Sequence, residues 1–325
     1  MTTITPQEIE NEMIRIVEQE IAVHELGDHS PTLTTTLRSY ITRPGRRIRP
    51  QLLVETACAY GYTNRTVLMR VAAATELLHI FALLHDDRLD GVSRVRHQNT
   101  PKDTYAVTPA HHYELLAGDI LHTIAHSVLV DTVHDFDIAR EILSTVRRIS
   151  LTTIAGQAMD MEFLHKNAPL PSTERLKTLY DRKTGYYSFV APLSIALLLA
   201  GAPSSEQITA QRAGLALGRA FQFRDDLTDI HPYITGASVP LPHPANWEFN
   251  LAGTYLYEVH GTDSRSKWST NASRTRLLST IRFHELAQFT EQQVEFELND
   301  FRDAVSELRP DNLCPMDFLV SIINA

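Results

Sequence analysis

The stretch Leu77-Leu78-His79-Ile80-Phe81-Ala82-Leu83-Leu84-His85-Asp86-Asp87-Arg88-Leu89-Asp90 decides how the rest of this chain is read. It closes a segment, Thr66 to Asp90, that lacks glycine and proline and is apolar on most sides, the pattern of a buried helix. Aspartates then crowd into its end. On a helix Asp86 and Asp90 share one face, with Cβ atoms roughly 6 Å apart. Two carboxylates so placed repel unless a cation lies between them. The spacing recurs at Asp225-Asp226-Leu227-Thr228-Asp229, again after an apolar run, Ala220-Phe221-Gln222-Phe223. One acidic cluster is ordinary as a solvated helix end. Two, each ending an apolar helix, point to a divalent metal. Magnesium fits best, because it takes one or two carboxylates, keeps some water and fills its shell with phosphate oxygens. The candidate metal ligands are Asp86, Asp87, Asp90, Asp225, Asp226 and Asp229. Facing each other, the two helices would clamp a diphosphate whose leaving charge the ions draw off.

The complementary charge lies upstream, in Arg43-Pro44-Gly45-Arg46-Arg47-Ile48-Arg49-Pro50. Pro50 suits the first turn of a helix, where its missing N–H costs nothing. Arg46, Arg47 and Arg49 therefore gather at a helix start, where free N–H groups also favour anions. Arginine holds phosphate with two parallel hydrogen bonds, which suits a diphosphate. Most basic clusters are solvated surface; beside two magnesium-type motifs this one reads as a second diphosphate site.

The bulk properties agree. Of 325 residues 43% are hydrophobic, enough for a large core, and only 13 are glycine, which favours long helices over many short strands. A formal net charge of −9 argues against a nucleic-acid surface. The two cysteines, Cys58 and Cys314, have no metal-binding spacing and suit a reducing compartment. The N-terminal residues carry acids throughout, without the apolar run of a signal peptide. The apolar run Ser188–Ala202 is broken by Pro192 and is too short to span a membrane. A cytoplasmic location and no membrane span are expected. Helices are predicted at 5–26, 31–41, from Pro50 through Tyr60, and at 66–90, 111–133, 136–165, 173–200, 205–230, 275–307 and 314–323. His231 to Asn246, with four prolines and no charged residue other than histidine, reads as a long loop. No linker divides the chain, so residues 1–325 are expected to form one domain.

In motif order the chain resembles the trans-isoprenyl diphosphate synthase, or polyprenyl synthetase, family over roughly residues 30 to 230. Gly45-Arg46-Arg47-Ile48-Arg49-Pro50 is similar to the family's isopentenyl diphosphate motif, which works with a histidine at the position of His79. Leu83-Leu84-His85-Asp86-Asp87-Arg88-Leu89-Asp90 resembles its first metal motif. Leu116-Ala117-Gly118-Asp119, Gly156-Gln157 with Asp160, Lys183-Thr184 and Phe221-Gln222 with the second aspartate motif follow in order. The resemblance implies an all-α isoprenoid synthase fold, a bundle of long antiparallel helices around a prenyl-chain cavity. It also implies three magnesium ions and usually a homodimer. Asp86, Asp90 and Asp225 would hold metals that draw diphosphate from an allylic substrate, and isopentenyl diphosphate would attack the resulting cation. Lys183 would bind the departing diphosphate, and Thr184 and Gln222 would offer oxygen dipoles to the cation. Phe81 and Ala82, five and four before the motif, would floor the chain pocket and suit a twenty-carbon product, with a fifteen-carbon one open.

The chain departs from the family at two places. Paired arginines after the first motif appear as Val95-Arg96, with Arg94 a substitute if the loop shifts by one residue; and the segment 231–253 has no lysine. The isopentenyl side is intact while the allylic side has lost two cations. An unusual allylic substrate or a heteromeric partner would account for that. A class I terpene cyclase has no use for Arg46, Arg49, His79 and Arg96 together. A non-catalytic subunit of a heteromeric synthase stays open as an alternative: the losses at 95 and in 231–253 favour it, and two complete aspartate motifs oppose it. A metal phosphohydrolase built on His85-Asp86 leaves Asp225, Asp226 and Asp229 unexplained.

Overall fold

The computed structural model describes residues 4–89, 110–164, 172–234, 251–260 and 282–308. Every regular element among them is helical. The chain forms two compact units, Met1–Ser144 with Ile195–Gly201, and Thr145–Ser194 with Ala202–Ala325.

The first unit opens with α1 (Pro6–Val23), whose start is set by a capping box. Glu8 N donates to Thr5 Oγ1 at 3.3 Å and Thr5 N donates to Glu8 Oε2 at 2.9 Å, so two helix-end donors are satisfied reciprocally. Ile9, Met13, Ile16 and Val17 bury its inner face. A short α2 (Leu26–His29) leads into α3 (Pro31–Ile41) and α4 (Ile48–Ala59). α5 (Arg65–Leu89) is the central helix of the unit, in contact with α1, α3, α4 and α6 (Ala110–Thr132). Its length and composition would suffice to cross a membrane, but 56% of its most apolar window is buried inside the protein. Val71, Ala72, Ala73, Ala74, Leu77, Ile80 and Leu84 line that buried side. Removing each leucine-sized side chain from water contributes about 1.5–3 kcal/mol. α7 (Phe136–Leu164) begins at the end of this unit.

In the second unit α8 (Thr173–Tyr180), capped by Ser172, runs directly into a π-helical segment, Asp181–Val190, and then into α9 (Ala191–Leu199), whose residues from Ile195 on belong to the first unit. The helix expected over 173–200 is thus present, but its middle is wound more loosely than an α-helix. α10 (Ser204–Ile234) packs on the π segment and on α12 (Phe283–Ser306). α11 (Leu251–His260) touches α8 and α12 and has no counterpart among the helices expected from sequence. α10 also runs four residues into the expected His231–Asn246 loop, carrying Pro232 within its last turn. Residues 235–250, like the expected helix at 314–323 and Cys314, lie outside the described residues.

The π segment lies close to two helices because glycine faces it. A Cβ on Gly218 would sit 2.6 Å from Gly185 Cα, and one on Gly156 would sit 2.6 Å from Arg182 C and Lys183 N. Single extra π turns inside helices are frequent at functional sites, and this one carries Lys183 and Thr184.

Candidate active site

In the first unit the site residues gather at the end of α5. Asp86 and Asp87 sit in its last turn, half-buried. Asp87 turns inward, 15% exposed, and its Oδ2 accepts from Tyr40 Oη at 3.3 Å and Arg43 Nη1 at 3.4 Å. The Tyr40 hydroxyl also lies 3.2 Å from Glu114 Oε1, and the Arg43 guanidinium lies 3.5 Å above the Tyr40 ring. Burial raises the Asp87 carboxyl above its ordinary value, and Arg43 and Tyr40 pull it back. Burial likewise raises the Tyr40 hydroxyl. His85 rests on Gly118 of α6, where a Cβ would meet its ring at 2.5 Å; its Nε2 is 3.3 Å from Leu115 O. Phe81, one turn earlier, has ring centroids of both His85 and His122 at 4.7 Å.

The arginine segment divides its work. Arg46 is exposed and Arg49 half-buried at the start of α4. On sequence Arg47 belongs with these diphosphate ligands; in the structure its side chain is only 5% exposed. Its guanidinium donates to Glu76 Oε1 at 2.9 Å, Glu10 Oε2 at 3.2 Å and Arg43 O at 2.7 Å. Arg47 has a left-handed backbone, φ 49°, which non-glycine residues adopt at a cost. It shapes the segment from inside. His79 is half-buried on α5.

In the second unit, side chains from four elements form two neighbouring bonded sets. Lys183 Nζ on the π segment lies 2.5 Å from Asp160 Oδ2 on α7. Thr184 Oγ1 donates to Gln222 Oε1 at 3.1 Å, and Gln222 Nε2 donates to Asp226 Oδ1 at 3.4 Å. The other oxygen of Asp226 accepts from the Tyr180 hydroxyl. Tyr180 is fully buried, and burial followed by the charges of Asp226, Asp160 and Asp225 holds its hydroxyl protonated well above the ordinary range. Asp225 is exposed, Asp226 buried. Asp229 lies on α10, and its side chain, like Asp90, Arg94, Val95 and Arg96, falls outside what the structure describes.

The sequence that carries this cluster matches a known family. A family model described as polyprenyl synthetase covers residues 30–236. The chain belongs to that family. A short chain isoprenyl diphosphate synthase of Methanocaldococcus jannaschii is 29% identical over 224 residues, 69% of this chain and 62% of that protein. A farnesyl diphosphate synthase of Mycobacterium tuberculosis is 34% identical over 197 residues, 60% of this chain and 52% of that protein. The chain therefore spans between about half and two thirds of these relatives. Among solved structures, a geranylgeranyl pyrophosphate synthase of Corynebacterium glutamicum, complexed with isoprenyl diphosphate and magnesium, superimposes with a TM-score of 0.74 at 19% identity, covering 98% of this chain and 96% of that one. That likeness establishes the all-α isoprenoid synthase fold.

Tyr40, Glu114 and Tyr180 are absent from the residues singled out on sequence, and Arg43 stands there only as part of the arginine cluster, with no role toward Asp87. Tyr180 carries the one local signal, standing four before Thr184 on a continuous helical run; Tyr40 carries none, being 47 residues from Asp87.

Proposed function

We propose that this protein is a short-chain trans-prenyltransferase, joining isopentenyl diphosphate to an allylic diphosphate to give a fifteen- or twenty-carbon prenyl diphosphate. The observation that carries this reading is the connected set Thr184–Gln222–Asp226 beside Lys183–Asp160. Residues named separately by motif order meet there in two hydrogen-bonded groups that neighbouring residues, Lys183 and Thr184, bring side by side.

Asp86, Asp90, Asp225 and Asp229 are the residues that would hold magnesium. Their donors are hard oxygens, which suit an ion that completes its shell with water and substrate phosphate. When bound, magnesium supplies charge neutralisation at the leaving diphosphate. Lys183, held in place by Asp160, binds the diphosphate as it departs. Thr184 commits its proton to Gln222, so what it can present to an allylic cation is an oxygen lone pair, the right polarity for stabilising positive charge. Arg46, Arg49 and His79 bind isopentenyl diphosphate, whose double bond attacks the cation before a proton leaves. Arg94 or Arg96 serves the allylic diphosphate. A homodimer forms through α6, where Leu115, Leu116 and Val130 are exposed, and light scattering of the pure protein tests it.

The deciding experiment incubates the pure protein with labelled isopentenyl diphosphate, magnesium and five-, ten- or fifteen-carbon primers, sizing products by chromatography. Elongation that a chelator abolishes is expected. Asp86→Ala and Asp225→Ala should each lower turnover on the order of 10³-fold, several kcal/mol of barrier. Wild-type rates in both variants would end the proposal.

A further inference from the structure

The π segment begins at Asp181, two residues before Lys183 and three before Thr184. Helix closure loosens there from i→i+4 to i→i+5, so where each later side chain points depends on how that first residue is held. Asp181 is held by α10. Arg219 Nη1 donates to Asp181 Oδ1 at 3.0 Å and to its Oδ2 at 3.3 Å, with the guanidinium 15% and the carboxylate 22% exposed. The same guanidinium reaches α12, where its Nε donates to Glu297 Oε2 at 2.7 Å and its Nη2 to Asp300 Oδ2 at 3.4 Å. Lys177 of α8 joins the group, 2.8 Å from Glu297 Oε1. The guanidinium is planar and its donors form a rigid fork, so three carboxylates fix its orientation. A second contact joins the same two elements. Thr184 lies three residues after Asp181, Gln222 three after Arg219, and Thr184 Oγ1 donates to Gln222 Oε1 at 3.1 Å. Beside these contacts the backbones pack closely at Gly185 and Gly218.

We propose that Arg219 is a positioning residue for prenyl transfer: acting through Asp181, it fixes the start of the π segment so that Lys183 is placed for the departing diphosphate and Thr184 stays on Gln222. A buried ion network contributes little net stability over well-packed apolar residues; here its effect is on geometry. The inference rests on the prenyltransferase reading above and adds to it a residue outside every motif. Arg212 marks the contrast. It also stands on α10 and pairs with Asp300 and Glu307, but among the described residues it bonds nothing on the π segment.

Steady-state kinetics of the full chain, well below every variant's melting temperature, test it together with hydrogen exchange read by mass spectrometry across residues 181–190. Arg219→Gln and Asp181→Asn should each lower kcat about tenfold, within the range that misplacing a reacting group costs. The KM for isopentenyl diphosphate should stay within about twofold of wild type. Both variants cut the same link, so the double variant should be no slower than the slower single. Arg219→Lys keeps a cation for Asp181 and should recover most of the loss. Exchange across 181–190 should rise in Arg219→Gln. In the control, Arg212→Gln, kcat and that exchange should match wild type even where the melting temperature falls. If Arg219→Gln loses no more kcat than Arg212→Gln, Arg219 only packs helices and the inference is overturned. Losses that multiply in the double variant overturn it too, since the two residues then act separately. Should Arg219→Gln not fold, Asp181→Asn against Arg212→Gln decides on the same readouts. A wild-type protein that elongates no primer refutes the functional reading instead; the exchange comparison then still decides whether Arg219 holds the segment, and unchanged exchange overturns that.

Discussion

The Arg47–Glu76 pair gives the sharpest stability test. The two side chains are 5% and 4% exposed and 2.9 Å apart. Among the described residues Arg47 is the partner that Glu76 has, and Glu76 Oε2 and Arg47 Nε find none. Arg47→Met removes the charge opposite Glu76 and leaves a buried, uncompensated carboxylate, which costs about 3–5 kcal/mol. For a unit of this size that corresponds to a fall of roughly 6–20 °C in the melting temperature. Glu76→Leu is milder, because Arg47 keeps Glu10 and the Arg43 carbonyl. Combining Arg47→Met with Glu76→Leu should not give the sum of the two losses: replacing a whole buried pair with apolar groups is neutral or stabilising by up to about 4 kcal/mol. Differential scanning calorimetry of the two single variants and the double variant forms the cycle. A drop below about 3 °C for Arg47→Met, or a double variant no better than its worse parent, would refute the reasoning.

Three further outcomes are expected. Gly218→Ala would place a Cβ 2.6 Å from Gly185 Cα, a backbone atom that cannot swing aside; a loss of about 1–3 kcal/mol is expected in urea unfolding, with Thr184 displaced and kcat lowered. A wild-type midpoint would mean the π segment shifts freely. Burial raises Asp181 to about 6 despite Arg219 at 3.0 Å, with Glu297 also raising it and Lys177 lowering it. A folded-state pKa above the unfolded one means that its favourable contribution is complete below about pH 4 and is lost as pH rises through about 6. Asp181→Asn should flatten the stability profile over that window, and an unchanged slope counts against the assignment. Phe81→Ala opens the space between His85 and His122, so product chains should lengthen by at least one five-carbon unit on chromatography; an unchanged product places the pocket floor elsewhere.

The legible parts of this chain were those whose signal is local. Apolar residues at helical spacing and the absence of breakers marked α5, and the structure bounds it at Arg65–Leu89 against an expected 66–90. α3 falls on its expected residues, 31–41. The failures have physical causes. The loosened winding at Asp181–Val190 is invisible along the sequence, since it depends on Gly156 and Gly218 approaching from other helices. Arg47 looked like its neighbours Arg46 and Arg49, and only burial against Glu76 sets it apart.

Sequence by itself determined the all-α class, the family and the order of the motifs, because helical periodicity and four-residue spacing are properties of adjacent residues. Tertiary structure alone decided which member of each motif turns inward. Tyr40 and Asp87 are 47 residues apart, Tyr180 and Asp226 46, and Arg47 and Glu76 29. Whether a carboxylate faces water or a tyrosine depends on what packs over it, and that is written in no local spacing.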